Sequence, residues 1–393
     1  MIYVGIDAAK NKNDCYIVNS EGELLCDNLT FANSLEGYDA FLNLVKNCCN
    51  NDLSNVKVGI ESTGHYSTNL ITFLNQTKLY VVVFNPMIIN RKHKADSLRK
   101  TKTDKSDAKF IAESLFFNKS DSYHLESYHI QELKSLTRAR QDLAHMKQPL
   151  QNKYRKCIQL VFPEITTLFS SCYGSSIFAV LKELPSAQDV ASCNILKLTK
   201  ILKDNSHGKL GREFADQLKD LASHSIAAYY PGESFNLKLL ISRIEFIDSQ
   251  LEILEAKIKE LLDAFNYPIT TIPGIGTILG ASILAEIGDI SKFETSSQLQ
   301  AFAGCEPSTY QSGEYIGTHE HMVKHGSKYL RTALYQAVIA SNIKGNNVFS
   351  NVLHKKVSEG KHFYVAVTHA MKKLIRVIFA MLTTNQPFKT EII

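Results

Sequence analysis

Four acidic residues in the amino-terminal third are the first candidates for chemistry. Asp7 and Glu61 each stand at the end of a short apolar run, and Asp104 and Asp107 are three residues apart, so they share one face of a helix. Four carboxylates within a few ångströms of one another repel strongly unless cations neutralise them. The four acids therefore predict a site for two Mg²⁺ ions, roughly 3.5–4 Å apart, that would hold the attacking and leaving oxygens of a phosphoryl transfer. Mn²⁺ could substitute.

Taken singly, each acid has a simpler interpretation. Asp104 and Asp107 could cap a helix, because aspartate is favoured near helix amino termini. A strand followed by glycine and Asp7 also opens sugar-kinase and actin-like ATPase folds. The sequence has no second strand–Gly–Asp–Gly phosphate loop, so nucleotide hydrolysis is not expected.

Positive charge is concentrated around the last two acids. The window from 91 to 109 holds eight basic residues and three aspartates, a net +5 that equals the formal charge of the whole chain. Such a stretch could be a solvated charged helix, but contact with a phosphate backbone is favoured because the positive charge surrounds the carboxylates rather than alternating with them. The residues predicted to bind nucleic acid here are Arg91, Lys92, Lys94, Arg99, Lys100, Lys102 and Lys105.

Alternating strands and helices over about the first 118 residues would position these acids. Three β-rich runs precede an amphipathic helix that begins after Ser34, and a strand, a helix, a strand and a helix after Thr103 follow. This order predicts an RNase H-like (RuvC-like) α/β domain. The strands that end in Asp7 and Glu61 are neighbours in such a sheet.

The middle of the chain is helical. Two long helical stretches, 126–159 and 235–262, flank a helical insertion over 163–232 to which no role is assigned. In the second stretch two heptad positions are apolar through four repeats, which predicts a coiled coil formed either with the first stretch or between protomers. Its seam residues are Leu237, Leu240, Ile244, Ile247, Leu251, Leu254, Ile258 and Leu261, with Leu136, Leu143, Leu150 and Cys157 as the weaker seam of the first stretch.

The last third is predicted to be mostly α-helical and to contact nucleic acid. Gly274 and Gly276 lie in a tight turn between apolar stretches, which resembles a helix-hairpin-helix whose backbone N–H groups face a phosphate. A plain helix–turn–helix inside a core is the alternative. A basic stretch downstream contributes Lys324, Lys328 and Arg331 as further phosphate contacts, although each could also lie on a solvated helix face.

Composition excludes several classes of protein. No apolar run approaches the roughly 20 residues that cross a bilayer, and no signal segment opens the chain, so a cytoplasmic location without a membrane partner is expected. The eight cysteines have no metal-ligand spacing and are expected to be free thiols.

Several motifs, in a fixed order, resemble the DEDD-type insertion-sequence transposases, relatives of the Piv DNA invertase. The motifs VGIDAAK, IESTGHY and KTDKSDAKFIAE match the family's acidic blocks. IPGIGTILGASILAEIGDISKF, LQAFAGCEPSTYQSGEYIG and KHGSKYLRTALYQAV match its carboxy-terminal region. The resemblance implies a RuvC-like domain over 1–120, a coiled-coil and helical region over 121–265, and a transposase domain over 266–393.

The resemblance also implies a catalytic serine, which falls at Ser312. Many relatives carry two serines before the following glycine, whereas Gln311 occupies the first of those places here. Ser308 and Thr309 stay open as alternatives. The implied activity is cutting and rejoining of DNA strands by Ser312 together with metal held by the acids.

The family further implies partners. They are donor and target DNA, a non-coding bridge RNA that pairs with both, and a homo-oligomer, dimer or tetramer, in which acids and serine come from different protomers. Two other interpretations remain: a RuvC-like Holliday-junction resolvase or nuclease that hydrolyses DNA with the acids alone, and a non-catalytic DNA-binding scaffold.

Overall fold

The computed structural model shows two compact units, residues 1–126 and 127–393. The structure describes residues 1–61, 66–77, 79–84, 89, 104–116, 128–265, 267–306, 311–312, 315–316 and 322–389. A mixed α/β sheet at the amino terminus is followed by a mostly helical chain, as the sequence predicts.

The first unit is built on a five-stranded sheet in the order β3-β2-β1-β4-β5. The strands are β1 (Ile2–Ala8), β2 (Lys12–Asn19), β3 (Leu24–Ala32), β4 (Val56–Glu61) and β5 (Tyr80–Phe84). Strands β1 to β3 pair antiparallel, whereas β4 pairs parallel to both β1 and β5. The predicted neighbours β1 and β4 therefore lie side by side, which is consistent with a RuvC-like domain.

Helices cover both faces of this sheet. On one face, α1 (Leu35–Cys48) and α2 (Thr68–Gln76) pack against alternate residues of β1 and β4. Ser34 caps α1, since its side chain accepts the Gly37 N–H, which confirms the predicted start. On the other face lies α3 (Asp104–Phe116), with apolar side chains against β5.

The second unit contains two helices of 34 residues each, α4 (Tyr128–Val161) and α10 (Pro231–Ala264). Arg140 forms a salt bridge with Glu255 at 2.7 Å, and Lys147 forms one with Asp248. As residue numbers increase along α4, those of the partners on α10 decrease, so the two helices lie antiparallel within one chain. The helices between them are α5 (Ile165–Leu168), α6 (Ser175–Glu183), α7 (Ala187–Ser192), α8 (Ile195–Asp204) and α9 (Arg212–Ser223).

Separate hydrophobic cores enclose the two ends of the long pair. The residues between the long helices pack around Tyr154 and Leu240, and the carboxy-terminal third packs around Leu133 and Ile258. Between these cores the apolar contact between α4 and α10 is less complete, because Leu251 and Leu254 are only half-buried. The sequence, in which all four heptads look alike, gives no sign of this difference.

The carboxy-terminal third consists of helices and a small hairpin. Its helices are α11 (Thr277–Ile287), α12 (Ser296–Phe302), α13 (Lys328–Lys344), α14 (Val348–Ser358) and α15 (Phe363–Thr384), and its hairpin strands are β6 (Gln311–Ser312) and β7 (Tyr315–Ile316). No helix in the described ranges has the length and apolar character needed to cross a membrane.

Candidate active site

Two of the predicted acids stand at the same end of neighbouring parallel strands. Ile6 of β1 is registered with Ile60 of β4, so Asp7 and Glu61 are the next residues along each strand. Alternation along a strand puts them on the face opposite the buried Ile6 and Ile60. Asp7 is half-buried, and Glu61 is buried with 6% of its surface exposed.

Helix α3 reaches that face because two paired glycines let it approach. Gly5 and Gly59 are cross-strand partners. A Cβ atom on Gly5 would lie 2.1 Å from the Ala108 carbonyl oxygen, and one on Gly59 would lie 2.9 Å from a methyl carbon of Ile111. Any larger residue at Gly5 would push the helix away from the sheet.

The direction of α3 brings its amino terminus to the acids. The ring of Phe116, at its last residue, stacks on Tyr3 with centroids 4.2 Å apart, whereas Ala108 lies over Gly5. The helix thus runs antiparallel to β1, and its first turn points toward the strand end that carries Asp7. Asp107, in that turn, is 5% exposed. Asp7, Glu61 and Asp107 therefore lie at the same end of the sheet.

The donors at this corner fit a hard cation in kind, because Mg²⁺ prefers carboxylate oxygens. Among the described side chains, however, no three Asp, Glu, His or Cys residues converge closely enough to hold a metal ion. The side chain of Asp104, on the first residue of α3, lies outside the described atoms. The metal site stays a prediction.

A further carboxylate, which the sequence did not single out, faces the same side of the sheet. Asp14 of β2 is the cross-strand partner of Asp7 and is 4% exposed. Its oxygens accept hydrogen bonds from Lys12 Nζ at 3.0 Å and Thr30 Oγ1 at 2.5 Å. Asp14 is therefore held by its own neighbours beside the candidate site.

The predicted basic segment cannot be placed. Arg91, Lys92, Lys94, Arg99, Lys100 and Lys102 lie outside the described residues, as does the side chain of Lys105. Their contact with nucleic acid stays a prediction.

Ser312 lies at the end of a hairpin strand in the second unit. It is registered with Tyr315, and Gln311 with Ile316, so Gly313 and Glu314 stand between the paired residues. Two-residue hairpin connections favour glycine. The Ser312 side chain lies outside the described atoms, as do residues 307–310 and with them Ser308 and Thr309.

The two ends of the segment that carries Ser312 are held together. The Val323 N–H donates to the Glu306 carbonyl oxygen at 2.7 Å. Gly304 has φ +65°, and a Cβ atom on Gly326 would lie 2.6 Å from its nitrogen. This close approach explains why both positions are glycine. It also sets where residues 307–321, called the hairpin segment here, leave and rejoin the helical core.

A salt bridge between the partly exposed Arg138 and the buried Glu286 lies next to this junction. Glu286, 2% exposed, accepts hydrogen bonds from Arg138 Nε at 2.6 Å and Nη2 at 3.0 Å. It also accepts one from the Ser327 hydroxyl at 2.7 Å. Ser327 caps α13 by accepting the Leu330 N–H. The sequence gives no sign of this arrangement, because Arg138 and Glu286 are 148 positions apart.

The glycines of the predicted phosphate-binding turn differ in their surroundings. Gly274 is buried with φ +88°, and a Cβ atom there would lie 2.4 Å from the Ala337 carbonyl oxygen of α13. Gly276 is exposed at the amino terminus of α11. A four-residue 3₁₀ turn, rather than a full helix, precedes them. The close contact with α13 therefore accounts for glycine at position 274 without a phosphate, whereas Gly276 is accessible to a ligand.

The three predicted phosphate contacts downstream lie at or near the start of α13. Lys324 and Lys328 are exposed, and Arg331 is half-buried, with Nη1 donating to the Ala303 carbonyl oxygen at 3.1 Å. Arg331 therefore helps to hold the base of the hairpin segment.

Two family models match the chain. A family model described as "Transposase", of the DEDD type found in IS110, matches residues 4–163, and one described as "Transposase IS116/IS110/IS902 family" matches residues 266–353. The first match spans the sheet and the acids, and the second spans the hairpin and Ser312.

Individual relatives give the same result. The chain is 25% identical to the pilin gene-inverting protein of Moraxella lacunata over 99% of this chain and 98% of that protein. It is 24% identical to the IS117 mini-circle protein of Streptomyces coelicolor, over 99% and 96%. A transposase for insertion sequence element IS1111A of Coxiella burnetii is 29% identical over 38% of this chain and 41% of its own length. The chain belongs to the IS110-type transposase family and is a DNA transposase or recombinase.

Proposed function

We propose that this enzyme moves an insertion sequence by transesterification, with Ser312 as nucleophile and Asp7, Glu61, Asp104 and Asp107 as ligands of Mg²⁺. The observation that supports the proposal is that β1, β4 and the first turn of α3 carry Asp7, Glu61 and Asp107 at the same end of the sheet. The DEDD family is generally metal-dependent. Bound Mg²⁺ would stabilise charge on the phosphate oxygens.

The serine step replaces one phosphorus–oxygen bond with another. The Ser312 oxygen forms a bond to phosphorus while one phosphodiester P–O bond breaks, and the departing strand oxygen takes a proton. A strand hydroxyl can later reverse the step and release the serine. Strands are thereby exchanged without ATP. Lys324 and Lys328, exposed near the amino terminus of α13, are proposed to hold the neighbouring phosphates.

The serine is tested by electrophoresis of labelled DNA under denaturing conditions. With Mg²⁺ present, the wild-type protein and the matched control Ser308→Ala should both give a protease-sensitive protein–DNA adduct, and Ser312→Ala should give none. Normal cleavage and joining by Ser312→Ala would favour a hydrolytic resolvase instead.

The acids are tested by removing charge while keeping shape. Asp7→Asn or Glu61→Gln should abolish cleavage and leave DNA binding, because only the ligand charge is lost; EDTA should have the same effect. A protein that cleaves equally well in EDTA would disprove the metal site. A DNA-binding scaffold would retain its function after either substitution.

We also propose a homo-oligomer formed along the outer face of α10. Four large apolar side chains on this helix point to solvent, with exposures of 42–65%: Phe235, Leu239, Phe246 and Ile253. Their spacing of four, seven and seven residues is that of a second coiled-coil seam, on the side away from α4. A second copy of this helix would cover them.

Light scattering tests this face. Phe246→Glu combined with Ile253→Glu should lower the oligomeric mass, because it puts charge into the seam. The control Lys203→Glu changes an exposed residue of α8 and should leave the mass unchanged. An unchanged mass for the double variant would mean that other surfaces hold the oligomer.

The bridge RNA remains part of the proposal, on the strength of the family resemblance. Purified protein should bind structured RNA transcribed from the ends of its own element more tightly than a scrambled RNA of equal length, as measured in a competition assay. Equal affinity for both would count against guidance by RNA.

A further inference from the structure

A groove separates the last three turns of α15 from the segment that follows. Its volume is about 550 Å³, within the roughly 300–1,000 Å³ typical of small-ligand sites. Val377, Met381, Pro387 and Phe388 give it apolar walls. Neither the catalytic proposal nor the oligomer uses this groove.

The outer wall of the groove is fixed by contacts with the rest of the unit. Asn385 ends α15 in the left-handed conformation, with φ 50°. The Phe388 N–H then donates to the Thr271 hydroxyl at 3.0 Å, and the Phe388 ring lies 6.0 Å from that of Phe349. Contacts with two other elements therefore hold the segment in place.

Positive charge lines the groove. Lys373 is half-buried, and Arg376 and Lys389 are exposed. Within the described part of the chain, no carboxylate forms a salt bridge with any of the three. An apolar cleft flanked by unneutralised cations fits a ligand that has a flat apolar part and several negative charges.

The charge continues along α15 toward the hairpin segment. Lys372 precedes Lys373, and its charge reaches Cys305, where that segment begins. Burial raises the pKa of the Cys305 thiol to about 11, and the charges of Arg331 and Lys372 oppose the rise. Arg331 and Lys372 thus place positive charge near Cys305, at the base of the segment that carries Ser312.

We propose that the groove holds one unpaired nucleotide of a nucleic-acid strand, with its base against Val377, Met381 and Phe388. Its phosphates would lie on Arg376 and Lys389. Proteins that bind single strands combine such aromatic and cationic surfaces. A base paired and stacked inside a duplex cannot enter the cleft. The inference deepens the proposed function, because it rests on the enzyme's handling of nucleic acid.

Fluorescence anisotropy with short labelled strands tests the groove. The probes are single-stranded RNA, single-stranded DNA of matching sequence, and the DNA duplex. Ala380→Trp fills the groove from an exposed position of α15 and leaves its charges in place. It should weaken single-strand binding about five-fold or more, as the loss of one stacked base predicts, and leave duplex binding unchanged.

A charge variant and a control complete the experiment. Arg376→Gln should reduce the salt dependence of single-strand binding by about 0.7 in slope, the value of one lost phosphate contact. Lys203→Gln removes an exposed lysine of α8 and should change nothing. Whichever of RNA and DNA loses more affinity in Ala380→Trp identifies the strand that the groove holds.

Two outcomes would overturn the inference. Unchanged single-strand affinity in Ala380→Trp would show that no base enters the groove, and an equal loss for the duplex would show that the groove does not select an unpaired base. Both variants retain Ser312, so their adduct formation on cleavable DNA is measured in parallel. Failure of the groove therefore stays distinguishable from failure of the serine mechanism.

Discussion

The ion pair between Arg138 and Glu286 provides a sharp test of how the hairpin segment is held. The Glu286 side chain is 2% exposed, whereas that of Arg138 is 41% exposed. Removing one partner of a fully buried pair costs about 3–5 kcal/mol, because the other charge is left uncompensated. Water can reach the space that Arg138 vacates, and Ser327 still donates to the carboxylate. We therefore expect Arg138→Met to lower the free energy of unfolding by about 2 kcal/mol.

The double variant separates lost pairing from lost packing. With Glu286→Met added, no buried charge remains at this site, and the free energy of unfolding should return to within about 1 kcal/mol of wild type. The chain has no tryptophan, so urea unfolding is best followed by circular dichroism. A loss below about 0.5 kcal/mol for Arg138→Met, or a double variant as unstable as the sum of both single variants, would refute the reasoning.

Three further results are expected. Gly5→Ala should destabilise the first unit by about 3 kcal/mol, since its Cβ would collide with a carbonyl of α3, whereas Gly211→Ala, with open space around it, should be nearly neutral in thermal melts. Burial and neighbouring lysines lower the pKa of His369, so stability present at neutral pH should fall as acid protonates it, and His369→Gln should flatten that loss in unfolding measured across pH. Changing Lys100 and Lys102 to Gln should weaken binding equally for all DNA sequences and reduce the salt slope by about one per lost contact; a sequence-selective loss would mean that they read bases.

Local patterns carried the prediction of the first unit. The alternation of apolar residues along β1 and β4, and the Ser34 cap, depend on residues close in sequence, so strand neighbours and helix starts follow from them. The approach of α3 depends on Gly5 and Gly59, two small residues 54 positions apart. Their pairing becomes visible only when the strands are in register.

Ambiguity between packing and binding limited the prediction of the second unit. A glycine such as Gly274 is required equally by a nearby phosphate and by a nearby backbone, and the structure supplies the backbone of α13. Helix α10 carries two apolar faces, and the regular heptads of one concealed the outer stripe that includes Phe246 and Ile253. Sequence periodicity shows that a face is apolar but does not show what covers it.

The antiparallel pair of α4 and α10 acts as a spacer of set length. Thirty-four residues at 1.5 Å each span about 50 Å. The pair separates the core formed with helices α5 to α9 from the core of the carboxy-terminal third. One residue inserted into α4 alone would rotate the following turns by about 100° and break the match between Lys147 and Asp248. Seven residues added to both helices would lengthen the spacer by about 10 Å and keep the same faces in contact. A change in the length of this spacer that keeps both cores therefore requires matched changes in the two helices.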